Sequence, residues 1–284
     1  MPRGEGARPY AGRLFTLALL VALTLTLGFI VVPLVAIFLR VSPGELVSQL
    51  GSDAAVDALV VTVKTSLVAQ LLILGIGTPA AYFLATRSFC GRNALVTLVE
   101  LPIVLPPAVA GIALLVTFGR LGLLGDTLNA LGVSIGFTQA AVGMAVVFVA
   151  GPFYVRGAIA AFEAVDTTLL AASRTLGAGP GRTFRRIAVP LARSGLAAAA
   201  AISLARGIGE FGATLFFAGS LQGVTQTLSL AIYAQLDIDF NVALALSALL
   251  VVVSVAILFG IKLLPSWTRS ISTSLSRSAR SVSS

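Results

Sequence analysis

The stretch Phe162-Glu-Ala-Val-Asp-Thr-Thr-Leu-Leu-Ala-Ala-Ser-Arg-Thr-Leu-Gly177-Ala-Gly-Pro-Gly-Arg-Thr-Phe-Arg-Arg-Ile-Ala-Val-Pro190 lies between two long apolar runs and is too polar to belong to either. Asp166 can accept hydrogen bonds from the amides that follow it and so start a helix. In that helix Leu169, Leu170 and Leu176 fall near one face. Gly177 suits the left-handed position that ends such a helix. Pro180 suits the first turn of a second one, with Phe184 apolar and Arg182, Arg185 and Arg186 charged. The spacing predicts two short amphipathic helices at a glycine-rich corner. By composition alone, such a corner either docks onto another protein or lies on lipid headgroups. A phosphate-binding loop at 177–183 is disfavoured, because the lysine and the G-x-x-x-x-G-K-[ST] spacing are missing.

On either side of this corner the chain is apolar. Of its 284 residues 57% are hydrophobic and 11% charged, and the mean hydropathy is +1.02. Soluble domains carry about a quarter charged residues, so this chain belongs in a bilayer. Roughly 20 apolar residues cross the hydrocarbon core as a helix. Six such spans are predicted, at 14–39, 59–85, 94–118, 138–159, 191–218 and 242–264, giving an all-α polytopic membrane protein. Lys64 falls near the outer end of the second span, where its long side chain can snorkel. A cleaved signal peptide is a poor reading of the first span, which is too long for one and has no small-residue cleavage site before Arg40.

Lysine and arginine set the expected orientation. One set of connections holds Arg3, Arg8 and Arg13, then Arg87 and Arg92, then the arginines of the 162–190 corner with Arg193, then Lys262, Arg269, Arg277 and Arg280. The alternate set holds Arg40 and Arg120 beside Asp53, Asp57, Asp126, Asp237 and Asp239. Basic loops stay in the cytoplasm, so both termini are expected inside, which agrees with an even number of spans. The chain then divides into a cytoplasmic segment 1–13, a membrane domain 14–264 and a basic, serine-rich cytoplasmic tail 265–284 attracted to anionic lipid. The net charge of +8 is explained by these loops, without nucleic acid.

The fifth span contains Ser203-Leu-Ala-Arg206-Gly-Ile-Gly-Glu210-Phe-Gly-Ala-Thr214-Leu. Charges inside a span are costly and face the protein interior or water. The i, i+4 spacing puts Arg206 and Glu210 on one helix face, with Thr214 one turn further. Gly207, Gly209 and Gly212 thin the helix for close approach of another backbone. A structural ion pair between packed helices, a polar translocation path and a proton relay all fit these residues. In the third span, Pro102, Pro106 and Pro107 remove backbone donors and weaken the helix, which suits a bend for packing or a gate.

The 162–190 segment resembles the signature loop of ABC-importer permeases: an EAA triplet, a glycine, then an I-x-L-P ending. Ala171-Ala172-Ser173 occupies the triplet, Gly177 the glycine and Ile187-Ala-Val-Pro190 the ending, with Ala171 where glutamate is usual. The resemblance implies a type I ABC-importer permease fold. It also implies that Ala171, Ala172, Ser173, Gly177, Arg182, Phe184, Arg185, Arg186 and Pro190 form the coupling helix docked on an ATPase, with Phe184 as apolar anchor. The run from Arg206 to Leu215, the segment Leu101-Pro-Ile-Val-Leu-Pro-Pro107 and the segment Thr225-Gln-Thr-Leu-Ser-Leu-Ala-Ile-Tyr233 resemble molybdate and tungstate permeases, relatives of the sulfate permeases. For such a protein the expected partners are a second copy of the chain, two cytoplasmic ATPase subunits that bind ATP and Mg, an extracytoplasmic oxyanion-binding protein, and lipid. Arg206, Gly209, Glu210, Gly212, Thr214, Pro106 and Pro107 are the expected translocation-path or packing residues.

Two other functional classes fit the sequence less well. A self-sufficient secondary transporter would use Arg206 and Glu210 as a relay and predicts an internal repeat, and none is evident. A membrane enzyme needs a nucleophile–base pair or a metal cluster, yet the chain has no histidine and a single cysteine, Cys90. No catalytic, metal or cofactor site is expected in this chain.

Overall fold

The computed structural model describes residues 8–40, 44, 48–49, 51–257 and 259–260. The described residues are helical, with turns between the helices. The tail 265–284, residues 261–264 and most of the N-terminal segment lie outside them.

Helix α1 (Arg8–Arg40) is 33 residues of nearly uninterrupted apolar sequence. It stands clear of the bundle, with none of its most apolar stretch buried. Helix α2 (Asp53–Thr86) begins six residues earlier than the hydropathy predicts, because Ser52 caps it by accepting from the Ala55 amide. Its buried positions Ala58, Val61, Thr65, Ala69, Ile73, Gly77 and Ala81 recur every three or four residues, the signature of one face laid against a partner. That partner is α6 (Gln139–Glu163), started by the Thr138 side chain and 61% buried over its apolar window. The helices at 92–104, 107–118, 189–208, 212–218 and 228–235 pack around α2 or α6.

The third expected span is broken. Helix α3 (Arg92–Val104) ends before Pro106, and α4 (Pro107–Phe118) leaves at 111° to it. Two consecutive prolines remove two amide donors, so the backbone cannot carry its hydrogen bonds through this point. A short outer helix, α5 (Gly125–Ala130), leads into α6.

After α6 come α7 (Thr167–Thr175) and α8 (Pro180–Thr183), which form the predicted corner. A π-helical turn, Phe184–Ala188, then leads into α9 (Val189–Ile208). Pro190 has no amide to give to the residue 186 carbonyl, and the widened turn lies immediately before it. The fifth span was expected to run unbroken to residue 218. Instead it ends at Ile208, and a separate helix, α10 (Gly212–Ala218), follows after a gap at 209–211. A loop then leads to α11 (Leu228–Gln235) and to the last apolar helix, α12, at Phe240–Ile257.

Small residues let the central helices approach closely. A Cβ on Gly157 would lie 2.7 Å from the Ala199 Cβ, and one on Gly195 would lie 2.6 Å from the Ala161 Cβ, so α6 and α9 meet nearly backbone to backbone. Buried polar groups tie the same helices across the apolar core. Ser203 donates to the Ala150 carbonyl at 2.9 Å, Gln70 donates to the Ala200 carbonyl at 3.1 Å, and the Thr78 and Tyr154 hydroxyls share a 2.6 Å bond.

Candidate functional site

The corner is built by local rules. Asp166 accepts from the Thr168 amide at 2.8 Å and from its hydroxyl at 2.7 Å, and these bonds hold its carboxyl below the usual carboxylate range. The cap is therefore ionised at neutral pH. Helix α7 ends as expected at Gly177, whose φ is +81°, with the Ala178 amide reaching back to the Ser173 carbonyl at 3.0 Å. This is the glycine-terminated closure that satisfies the last carbonyls of a helix. Ser173 is buried, and its hydroxyl meets that of Thr183 at 3.1 Å, so one hydrogen bond joins the two arms of the elbow. Ala171, Ala172, Arg182, Arg185, Arg186 and Pro190 are exposed. A groove of about 390 Å³ beside them is lined by Leu169, Ala172, Leu176, Arg186, Ile187 and Pro190.

Two expectations about the elbow are corrected. Phe184 is half-buried and packs against the protein, with its ring 4.8 Å from Tyr82 and 6.3 Å from Phe162, so it anchors the elbow to its own bundle. The three leucines of α7 also part company. Leu170 is buried in the bundle, whereas Leu169 and Leu176 point outward, Leu176 at 88% exposure. The outward apolar contact is therefore leucine, not phenylalanine.

The two broken spans meet. A Cβ on Gly111 in α4 would come within 2.7 Å of the Ala213 carbonyl oxygen, and one on Gly212 would lie 2.7 Å from the Pro107 Cβ. Pro107 and Gly212 thus sit where the third and fifth spans cross, with Pro106 and Gly209 at the two helix breaks beside them. We expect Gly212→Leu to prise this crossing apart. Overpacking of this kind costs about 1–3 kcal/mol. The melting temperature of the solubilised protein should fall accordingly. An unchanged melting temperature would mean that the crossing is not closely packed.

Arg206 and Glu210 pair as expected, at 2.7 Å, but not on a continuous helix. Glu210 lies in the gap, is buried, and accepts from the Ala213 amide at 2.8 Å, so its carboxylate caps α10. Its other oxygen touches Arg206 closely yet makes no aligned hydrogen bond. Thr214 is buried without a hydrogen-bond partner among the described residues.

A second ion pair inside the spans was not anticipated. Glu100 of α3 lies 3.4 Å from Arg156 of α6. One turn from the membrane end, Arg92 bonds Glu163 at 2.5 Å and the Leu84 carbonyl at 2.6 Å. A charge of each sign in neighbouring spans was the signal that could have revealed Glu100 and Arg156.

The ends of the bundle sort as the loop charges require. The Arg92–Glu163 bond puts the 86–92 and 163–190 connections at one end. At the other end a Cβ on Gly219 would touch the Phe137 ring, and one on Gly223 would lie 3.4 Å from the Asp57 carboxylate.

Residues 77–269, which hold the elbow and both broken spans, match the family described as binding-protein-dependent transport system inner membrane component. The chain belongs to this family. Among members of this transport class, the molybdenum transport system permease protein ModB of Mycobacterium bovis is 42% identical over 233 residues, covering 82% of this chain and 88% of that protein. ModB of Escherichia coli (strain K12) is 34% identical over 222 residues, covering 78% and 96%. A solved bacterial ABC transporter involved in the import of the acidic polysaccharide alginate superposes with a TM-score of 0.69 at 16% identity, covering 90% of this chain and 96% of that one. The architecture is that of a type I ABC-importer permease, as the signature loop implied, and the chain is a multi-pass membrane protein. Its helix α1 lies outside the matched family segment, which begins within α2.

Proposed function

We propose that this chain is the permease subunit of a molybdate importer, working as a homodimer with two ATPase subunits and an extracytoplasmic binding protein. The observation that carries this reading is the elbow at 163–190. It is fastened to the bundle by Phe184, its two arms are joined by the Ser173–Thr183 bond, and it presents Leu169, Leu176 and three arginines outward. Such an elbow can pass a push from a docked partner into α6 and α9 without deforming. The excess of arginine and lysine in the basic loops supports a cytoplasmic position for it and for both termini. ATP and Mg belong to the partner, and this chain contributes shape and charge. Closure of the ATPases would drive the two elbows together and open the cavity outward, where the binding protein releases its anion.

Similarity to molybdenum transport permeases favours molybdate over sulfate, and tungstate shares the same tetrahedral chemistry. The ion-coupled alternative loses its support once Glu210 is a helix cap. The test is reconstitution with the ATPase and the binding protein, followed by measurement of anion-dependent ATP hydrolysis and uptake with molybdate, tungstate and sulfate in parallel. Molybdate and tungstate are expected to stimulate both, and sulfate neither. Uptake by the chain alone under a proton gradient would overturn the reading.

A further inference from the structure

The central helix α6 is enclosed over most of its length. Every residue from Ala141 to Ile159 is described, and among them Arg156 is the one exposed side chain. It is 68% exposed, and it lies three residues inside the predicted end of the span at 159 and seven before the end of α6 at Glu163. Charged side chains within a span face the bundle interior or a water-filled cavity in almost every case, so this opening is assigned to water or protein. Ala160 and Glu163, at i+4 and i+7 on the same face, are also exposed. An open strip therefore runs from Arg156 to the membrane end that carries the elbow.

Among the described residues Arg156 has one polar contact, its Nε 3.4 Å from a Glu100 oxygen. That is long for a charge-assisted bond, and both terminal nitrogens remain free. Arg206 is the opposite case, held at 2.7 Å by a buried carboxylate that also caps a helix. Arg206, with one terminal nitrogen held by a buried carboxylate, is 29% exposed, whereas Arg156 is 68% exposed, and the guanidinium fork matches the spacing of oxygens on a tetrahedral oxyanion. Glu100 makes the site weak. A path conducts only when binding favours entry and still permits exit, and a carboxylate 3.4 Å away competes with the arriving anion for the same cation. Glu100 also stands on α3, which buries none of its residues and joins α6 through this pair and the Arg92–Glu163 bond.

We propose that Arg156 is a contact for the translocated oxyanion in the half of the path nearest the elbow, with Glu100 as the counterion that limits its hold. This rests on the chain being an oxyanion permease, and the experiment separates the two claims. The complete transporter is reconstituted in liposomes, and failure of the wild type to import molybdate would fall on the functional reading. Given wild-type import, Arg156→Gln is expected to lower uptake by about tenfold or more, the loss of one charged hydrogen bond expressed as a ratio. ATP hydrolysis stimulated by the loaded binding protein should stay within about twofold, since docking is untouched.

The neutral double variant Glu100→Gln with Arg156→Gln decides between substrate contact and structural pairing. It restores electroneutrality but not the anion's partner, so uptake should remain low while the ATPase co-purifies at the wild-type ratio. Recovery of uptake in the double variant, or loss of assembly by it, would make the pair structural and overturn the proposal. Wild-type uptake by Arg156→Gln would overturn it as well.

Discussion

Arg206→Gln is expected to destabilise the solubilised protein far more than Glu210→Gln, although each removes one partner of the same ion pair. The asymmetry follows from burial. Glu210 is 1% exposed at its side chain and Arg206 is 29% exposed. Removing the arginine leaves the enclosed carboxyl group without its partner, and breaking a buried pair in this way costs about 3–5 kcal/mol. Removing the carboxylate charge instead leaves Arg206 able to find water. The glutamine oxygen can still accept from the Ala213 amide, so the cap on α10 survives, and the expected loss is about 1 kcal/mol. Thermal unfolding of the assembled complex would rank the two. Equal and small losses would mean that the pair contributes nothing to the crossing of the third and fifth spans. A larger loss from Glu210→Gln would mean that the free charge of Arg206 is the costly one.

The same pair marks the limit of what could be read from the sequence. Its i, i+4 spacing is a helical spacing, and it was met in space by residues that are not on one helix. The three glycines around Glu210 were legible as thinning for close packing, which Gly212 against Pro107 bears out. Glycine also weakens a helix interior, however, and spacing alone does not say where the break falls. The double proline at 106 and 107 was the stronger signal, since two missing donors leave a helix little choice. The spans themselves were legible because hydrocarbon demands apolar length and little else. The direction of Phe184 was not legible. Four residues of helix and a π turn are too short for periodicity to select a face, and the aromatic partners Tyr82 and Phe162 come from two other helices. Pairing of Glu100 with Arg156 likewise depends on which spans become neighbours, which a single chain's pattern leaves open.

Gly177→Val should release the ATPase while leaving the permease inserted and folded, and Gly177→Asn should not. Gly177 sits at φ +81°, where an L-residue places its Cβ against the following carbonyl at about 1–2 kcal/mol. Asparagine bears this conformation better than other side chains, and a β-branched residue bears it worst. Nothing lies within 4 Å of the position a Cβ would take, so crowding plays no part and the contrast between the two variants isolates backbone conformation. With valine the closure from Ala178 to Ser173 is strained. Relief by rotating the 176–179 segment would turn Leu176 and the arginines of the second arm away from their common face. Because the anchors at Phe184 and Thr183 lie beyond that segment, the bundle should keep its stability. The measurement is the amount of ATPase retained when the permease is purified from membranes: close to wild type for asparagine, and for valine a fall of about tenfold, the equivalent of the strain energy. Undiminished retention with valine would mean that the turn at Gly177 is a by-product of chain direction and that docking depends on the arms alone.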